Sequence, residues 1–456
     1  VGVPYADKLY NYQTIGAAWL ATVKRGILAD EPGLGKTIQS LAACDLLDAA
    51  RVLIFTVNET VQNQWVETIR DWGLGTVVNV KGTKAQREAL LARTARFYVL
   101  PTSCLSSADA PRTGSKSSPL RRFLATDWDV VIVDEAHMLQ SKESKRTKAV
   151  LKIKSPALFM LTGTPVWNLG PSLWSLLHVI DKNRWSSEWL WLERYFNIIT
   201  TPFGRKIGHV RREMLEALRV EIGGVMLRRS LVDIHADLPE AKMINVELIA
   251  PPDLRAEYKL LKKTIFDYLP VSMRGETRQI ATRTQAIPIL REFLNDPTAR
   301  GARFGNPKLD KILEICTEFT GSILVFTWHT AYAEKLAAVL PNAQAFHGKL
   351  SHTERSLRLE RFRRGQTRIL VASMASIGVG VDLPQVGAAV FAETDWTPAI
   401  VEQSWRRIYR ITSTSTKLVY FVYYAKTVES LVYNAFQRKA VASEELIANA
   451  VFNELD

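Results

Sequence analysis

Cysteine is scarce. Cys44, Cys104 and Cys316 are the only three in 456 residues, and they lie far apart with no metal-ligand spacing. That excludes a thiolate zinc module and a disulfide framework, and the three read as buried or incidental thiols of a reducing compartment. Long hydrophobic runs are missing too. No unbroken apolar stretch approaches the ~20 residues of a membrane helix, and VGVPYADKLYNYQ at the start lacks the basic-then-apolar pattern of an export signal. Acidic residues are in short supply, with 46 Asp and Glu against 59 Lys and Arg. The net charge is +13 and the pI about 9.5. Such a surplus favours a polyanionic partner, nucleic acid first and acidic membrane second, while a solvated basic surface without a partner stays open. What remains is ordinary for a globular protein, 47% hydrophobic and 23% charged, with room for about three domains at ~150 residues each.

The stretch GILADEPGLGKTIQS, residues 26–40, organises the rest. A short apolar run passes through Asp30-Glu31-Pro32-Gly33-Leu34-Gly35 and leaves on a helical pattern at Lys36-Thr37. Strand, glycine loop and helix N-terminus together make a phosphate cradle. Loop N–H groups and the helix dipole face the anion, and Gly33 and Gly35 let the backbone come close. Lys36 is placed to reach the β- and γ-phosphates, and the Thr37 hydroxyl to hold Mg²⁺. The strict pattern has glycine where this chain has Asp30. A plain strand–turn–helix with Gly-x-Gly is the alternative, and Lys-Thr directly after the second glycine argues against it. Upstream, Gln13 is a candidate adenine contact, since an amide both donates and accepts.

Residues 128–137 read WDVVIVDEAH, an all-apolar strand running into two carboxylates. A strand buried on both faces belongs in a parallel sheet, and ligands bind at the carboxyl ends of such strands. Asp134 is placed to hold Mg²⁺ and Glu135 to orient and deprotonate the attacking water. An acidic helix start is the plainer alternative. Another buried strand, LFML at 158–161, ends in Thr162-Gly163-Thr164-Pro165, small hydroxyl residues suited to relaying the state of the γ-phosphate. The aromatics Trp185, Trp189, Trp191, Tyr195 and Phe196 are expected in the core rather than against nucleobases. A basic helical segment is expected over about 253–293. The second half repeats the α/β rhythm without a phosphate loop. There, QSWRRIYR at 403–410 puts Gln403, Arg407 and Arg410 on one face if it is a helix. Two guanidiniums on one face suit a γ-phosphate, and a solvated basic face is the alternative.

Taken in order, these blocks resemble the Swi/Snf-like ATPases of helicase superfamily two over nearly the whole chain. LYNYQ resembles the family's Q motif, DEPGLGKT its motif I, VNETVQNQW motif Ia, DEAH motif II and LTGTPVWN motif III. VMLRRSLVDIHADLP looks like the turn between the lobes. ILVFTWH resembles motif IV, HGKLSHTER the motif after it, SMASIGVGVDL motif V and EQSWRRIYRI motif VI. DWTPAIVEQ looks closest to the small annealing-helicase and fork-remodelling subgroup.

The resemblance implies an α/β fold of two RecA-like parallel-sheet lobes of P-loop NTPase type with helical insertions. Lobe one is expected over 1–240, with a helical protrusion at about 167–221. A helical linker is expected over 241–300 and lobe two over 301–456. ATP and Mg²⁺ are the implied cofactors. The nucleotide set is Gln13, Asp30 to Thr37, Gly380 and Asp382; Thr37 and Asp134 serve the metal; Lys36, Asp134, Glu135, Arg407 and Arg410 are catalytic. Thr60 and Ser373 are the candidate phosphate contacts on double-stranded or branched DNA. In this family Asp30 is the usual residue at its place. Three places depart from the pattern: Asn58 stands for proline, Ile377 and Asp382 for glycine and asparagine, and Thr412-Ser413 for Gly-Gln. With no chromatin-reading or zinc module in view, the expectation is a monomeric, stand-alone motor without a membrane partner. It is expected in the cytoplasm if bacterial or viral, and in the nucleus if eukaryotic.

Overall fold

The computed structural model describes all residues except 1–4, 106–117, 164–169, 202–203, 235–237, 265–277, 298–304, 378–380, 411 and 448–456. The chain divides into two compact units, residues 1–236 with 441–456 and residues 237–440. In the first, helix α1 (Asn11–Val23) leads to strand β1 (Arg25–Leu28), and the glycine loop feeds helix α2 (Lys36–Leu46). Strand β2 (Val52–Thr56) and helix α3 (Glu59–Asp71) follow, then β3 (Val77–Asn79), β4 (Phe97–Pro101), β5 (Val130–Asp134) and β6 (Ala157–Leu161). An antiparallel pair, β7 (Phe196–Thr201) and β8 (Gly204–Val210), precedes the short β9 (Met226–Leu227).

The sheet order is β3-β4-β2-β5-β6-β1-β9, parallel throughout. The all-apolar runs explain it. Val52–Thr56 and Ala157–Leu161 are buried at every position, as strands covered on both faces must be. The order places β6 alone between β1, which feeds the glycine loop, and β5, which ends in Asp134. Both carboxyl ends therefore open on the same edge of the sheet, where open α/β sheets take ligands.

The second unit carries β10 (Ala241–Leu248), β11 (Ile323–Thr327), β12 (Ala343–Phe346), β13 (Ile369–Ser373), β14 (Ala388–Phe391) and β15 (Lys417–Tyr424). They form a parallel sheet in the order β10-β15-β14-β11-β13-β12. Its core gathers Val325, Val371, Val390 and Leu336.

Two expectations change. The stretch 241–300, expected as a helical linker, opens with β10, whose Ile244, Val246 and Leu248 are half-buried between exposed Asn245 and Glu247. That period of two marks an edge strand with one solvated face. Helices follow at Pro252–Thr264 and Arg278–Asn295. The protrusion expected as helical has helices Pro171–Ile180 and Glu188–Tyr195, then the β7–β8 pair. Ile198, Ile199, Thr200 and Thr201 are β-branched in a row, which favours extended backbone over helix. The aromatics before it are core, with Trp185, Trp191, Tyr195 and Phe196 buried and only Trp189 exposed. All three cysteines are buried. No helix among the described residues is long and apolar enough to cross a membrane.

Candidate nucleotide site and the paired arginines

Gly33 and Gly35 take φ of 101° and 71°, the left-handed region where a side chain is strained. At Gly35 a Cβ would also meet the Gln13 Nε2 at 2.4 Å. Gln13 thus lies against the loop, held by the Tyr10 N–H donating to its Oε1 at 3.1 Å, on α1 and ahead of the phosphate cradle. Pro32 packs near Gly163, where a Cβ would come within 2.9 Å of its ring. The end of β6 therefore touches the loop through Gly163. Thr164 and Pro165, the rest of the expected relay, lie outside the described residues.

Lys36 begins α2 and folds its ammonium over the loop, donating to the carbonyls of Asp30 at 2.6 Å and Glu31 at 3.2 Å. Thr37 is half-buried in the same first turn. Lys36 also acts electrostatically on Asp134, so the sheet does bring the loop and the acids together. Burial and the adjacent Glu135 charge push the Asp134 carboxyl up to about 6. The Trp65 N–H, Lys36 and the Glu135 N–H pull the other way. Glu135 sits at φ 52°, ψ 52°, a left-handed conformation held by a non-glycine residue. Strain of this kind, about 1–3 kcal/mol, concentrates at functional sites. Its Oε2 lies 3.1 Å from His137 Nδ1.

A hydroxyl and carboxylates are hard oxygen donors of the kind Mg²⁺ takes. Among the described residues no group of three His, Cys, Asp or Glu side chains forms a cage for a metal ion. That fits an ion held by one or two protein oxygens plus nucleotide phosphates and water. Thr37 and Asp134 would hold it, and bound there it would supply charge neutralisation at the phosphates.

The loop acids turn inward. Asp30 is fully buried, and its carboxylate faces the interior. Arg229 Nε donates to Oδ1 at 3.0 Å and Nη2 donates to Oδ2, while Gln39 Nε2 donates to Oδ2 at 3.1 Å. Glu31 Oε2 accepts the Leu231 N–H at 2.9 Å. The two side chains fasten the loop to residues 229–231 and leave its backbone N–H groups as the part that faces an anion. That is the physical reason an acid replaces glycine at position 30: a buried guanidinium needs a bidentate carboxylate.

In the second unit the helix expected to carry the arginines, Pro398–Trp405, stops before them. Arg407 and Arg410 sit in the turn beyond it, so the shared helix face with Gln403 does not exist. They converge nonetheless. Arg407 Nη1 lies 3.6 Å from Asp382 Oδ1, and Arg410 Nη2 donates to the same oxygen. Both guanidiniums are more than 90% buried, whereas the Asp382 side chain is 63% exposed. Burial lowers the Arg410 pKa to about 10, against the support of Asp382, so it stays cationic at neutral pH. Asp382 thus bridges the two guanidiniums in this structure. Gly380 lies outside the described residues.

Of the DNA candidates, Thr60 is exposed in the first turn of α3. Asn58 caps that helix, its side chain accepting the Val61 N–H at 3.0 Å, which accounts for asparagine in place of proline there. Ser373 is buried and donates its hydroxyl to Ser376 Oγ at 2.8 Å. Its hydroxyl proton is therefore engaged within the protein. The β13 strand runs apolar to its end and carries Ser373 into the interior with it.

Sequence reasoning missed Trp65, whose Nε1 donates to Asp134 Oδ2 at 2.8 Å, and the clasp of Arg229 and Gln39 on Asp30. Their signals were present. Trp65 lies on the apolar stripe Val61, Trp65, Val66, Ile69 of α3, where an indole N–H needs a partner. Arg229 is the second of two arginines that follow a buried strand.

A glycine loop and strand-end acids on one parallel sheet, with paired arginines on another, fit a fold of two RecA-like lobes of P-loop NTPase type. The family comparisons narrow this. Residues 12–299 match the SNF2-related domain and residues 307–412 the Helicase conserved C-terminal domain. The chain belongs to the SNF2-related family. It is 26% identical to the human SWI/SNF-related matrix-associated actin-dependent regulator of chromatin subfamily A member 1, over 93% of this chain and 42% of that protein. The bovine DNA annealing helicase and endonuclease ZRANB3 is 24% identical over 95% of this chain and 40% of its own length. The chromatin-remodeling factor CHR7 of Arabidopsis thaliana is 25% identical over 92% and 36%. The chain thus spans about two fifths of the length of these curated relatives. A solved SWI2/SNF2 ATPase core from Sulfolobus solfataricus, in complex with dsDNA, aligns over 97% of this chain and 94% of that one at 20% identity, with a TM-score of 0.44.

Proposed function

We propose that the chain is a DNA-stimulated ATPase that translocates on double-stranded DNA and thereby remodels protein–DNA complexes or branched DNA. The paired guanidiniums carry this reading. Arg407 and Arg410, buried and cationic on one carboxylate, are ready to exchange that carboxylate for a phosphate. Lys36 grips the β- and γ-phosphates, Asp134 and Thr37 serve Mg²⁺, and Glu135 takes the proton of the attacking water. Arginine fingers are worth about 10³–10⁵ in rate. DNA that favours the arrangement bringing them to ATP therefore switches hydrolysis on. A basic surface with a net charge of +13 suits sequence-independent contact with backbone phosphates, and such binding weakens steeply with salt.

The deciding experiment is the ATP turnover rate on single-stranded, duplex, forked and four-way DNA at fixed salt. Stimulation by duplex supports the reading, and a rate indifferent to every polynucleotide sinks it. Triplex displacement beside forked-duplex unwinding then separates translocation from strand separation or branch migration. A partner nuclease in a restriction system would show as cleavage only when that partner is added.

A further inference from the structure

We propose that Trp65 is a positioning residue for the nucleotide site, one whose indole N–H fixes Asp134 and ties helix α3 to the metal side of the phosphate cradle. The inference rests on the reading of Asp134 as a metal-serving carboxylate. Trp65 is 1% exposed, and its Nε1 donates to Asp134 Oδ2 at 2.8 Å. The other oxygen, Oδ1, accepts the Glu135 N–H at 3.0 Å. Each oxygen keeps a second lone pair, so the two donors fix the plane of the carboxylate without closing it to a cation.

The helix that carries Trp65 is itself firmly seated. Gln62 Nε2 donates to the carbonyls of Val80 at 3.3 Å and Val99 at 3.2 Å, and Val61, Val66 and Ile69 are buried beside it. The first turn of the same helix is exposed at Asn58, Glu59 and Thr60, with Glu59 paired to Lys81 at 3.3 Å. One rigid element of 13 residues therefore has one end in solvent, where a DNA phosphate contact is proposed, and its middle on the carboxylate. A displacement of α3 moves the donor that orients Asp134. The bicyclic ring fills the packing and the N–H alone reaches the carboxylate, so an isostere without the N–H separates the two roles.

The test uses the whole chain and Mn²⁺ as the probe ion, with free Mn²⁺ read by electron paramagnetic resonance in the presence of ADP. Trp65→Phe is expected to weaken Mn²⁺ binding about 10–100-fold, the usual effect of losing a partner that orients a metal ligand. Affinity for ADP without metal should stay unchanged. In an Asp134→Asn background the same substitution should add no further loss. Site-specific benzothienylalanine at position 65, which keeps the bicyclic shape and lacks the N–H, should reproduce the phenylalanine result and guards against a folding artefact. Unchanged Mn²⁺ affinity in both variants overturns the proposal. So does an equal loss of metal-free ADP affinity, which would mean packing, or an undiminished loss beside Asp134→Asn. Duplex DNA should tighten Mn²⁺ binding in the wild type and not in Trp65→Phe; tightening that survives the substitution overturns the link through α3. A wild type that binds neither ADP nor Mn²⁺ brings down the nucleotide-site reading first, and this inference with it.

Discussion

Each sheet ends a parallel strand in a carboxylate, and the two are treated in opposite ways. Asp134, after β5, is pushed up to about 6 by burial and by Glu135 beside it. Glu393, after β14, is fully buried, and burial works against its charge as well. Yet the His329 side chain at 2.7 Å and the Arg291 charge hold it well below the usual carboxylate range. The N–H groups of Trp328 and His329 donate to its other oxygen at 2.8 and 2.9 Å. Arg291, 3.7 Å from Glu393, donates to the Thr394 carbonyl and lies over the Trp328 ring. One carboxylate is neutralised on every side and serves the fold. The other is left short of positive charge, as a group that works with a cation and a phosphate must be. The same parallel-sheet architecture thus holds the candidate site in one unit and a strut in the other.

That contrast can be broken most directly at the working site. Lys36→Ala or Glu135→Gln should reduce ATP turnover by 10³-fold or more, removing contacts that act on the reacting phosphate, while DNA binding at fixed salt is unchanged. Full turnover in either variant removes the proposed site. At the strut the effect should fall on stability. Glu393→Ala leaves Arg291 buried without its partner and should destabilise the second unit by about 3–5 kcal/mol, read by urea denaturation. The pH sign follows from the depressed pKa. The contribution of Glu393 is fully present above the ordinary carboxylate value and is lost as pH falls through its folded value. The wild type should therefore lose stability on acidification in a way that Glu393→Ala does not. A smaller effect is expected at Asp134. Asp134→Asn removes one of two adjacent negative charges but turns an amide NH2 toward one of the two N–H donors, so the melting temperature without divalent cation should move by no more than a few degrees, about 1 kcal/mol. Smallest of all, Asp382→Asn loosens the carboxylate that holds Arg407 and Arg410, and should change the basal ATPase rate by about two- to fivefold.

The sequence carried the architecture where strands are uniformly apolar. The runs at 52–56, 130–133 and 369–372 are short and rich in β-branched residues, which reads as strands buried on both faces. It was less legible at β10, where alternation is the only cue and the neighbouring helices suggest a linker. The glycine loop and strand-end acids were legible because their spacing is their chemistry. The roles of Asp30 and Glu31 were not, because their partners, Arg229 and Leu231, are about 200 positions away and only the sheet brings β9 beside β1. For the same reason the Arg407–Arg410 pair was found with the wrong geometry. Spacing suggested a helical face, whereas the convergence comes from Asp382 in a separate segment.

In the proposed function Arg407 acts on the nucleotide that Lys36 holds. Arg407→Ala tests it, with ATP affinity and duplex-stimulated turnover measured on the same preparation. Affinity should stay within a few-fold of wild type while stimulated turnover falls about 10³-fold or more. Stimulated turnover at the wild-type rate would contradict it.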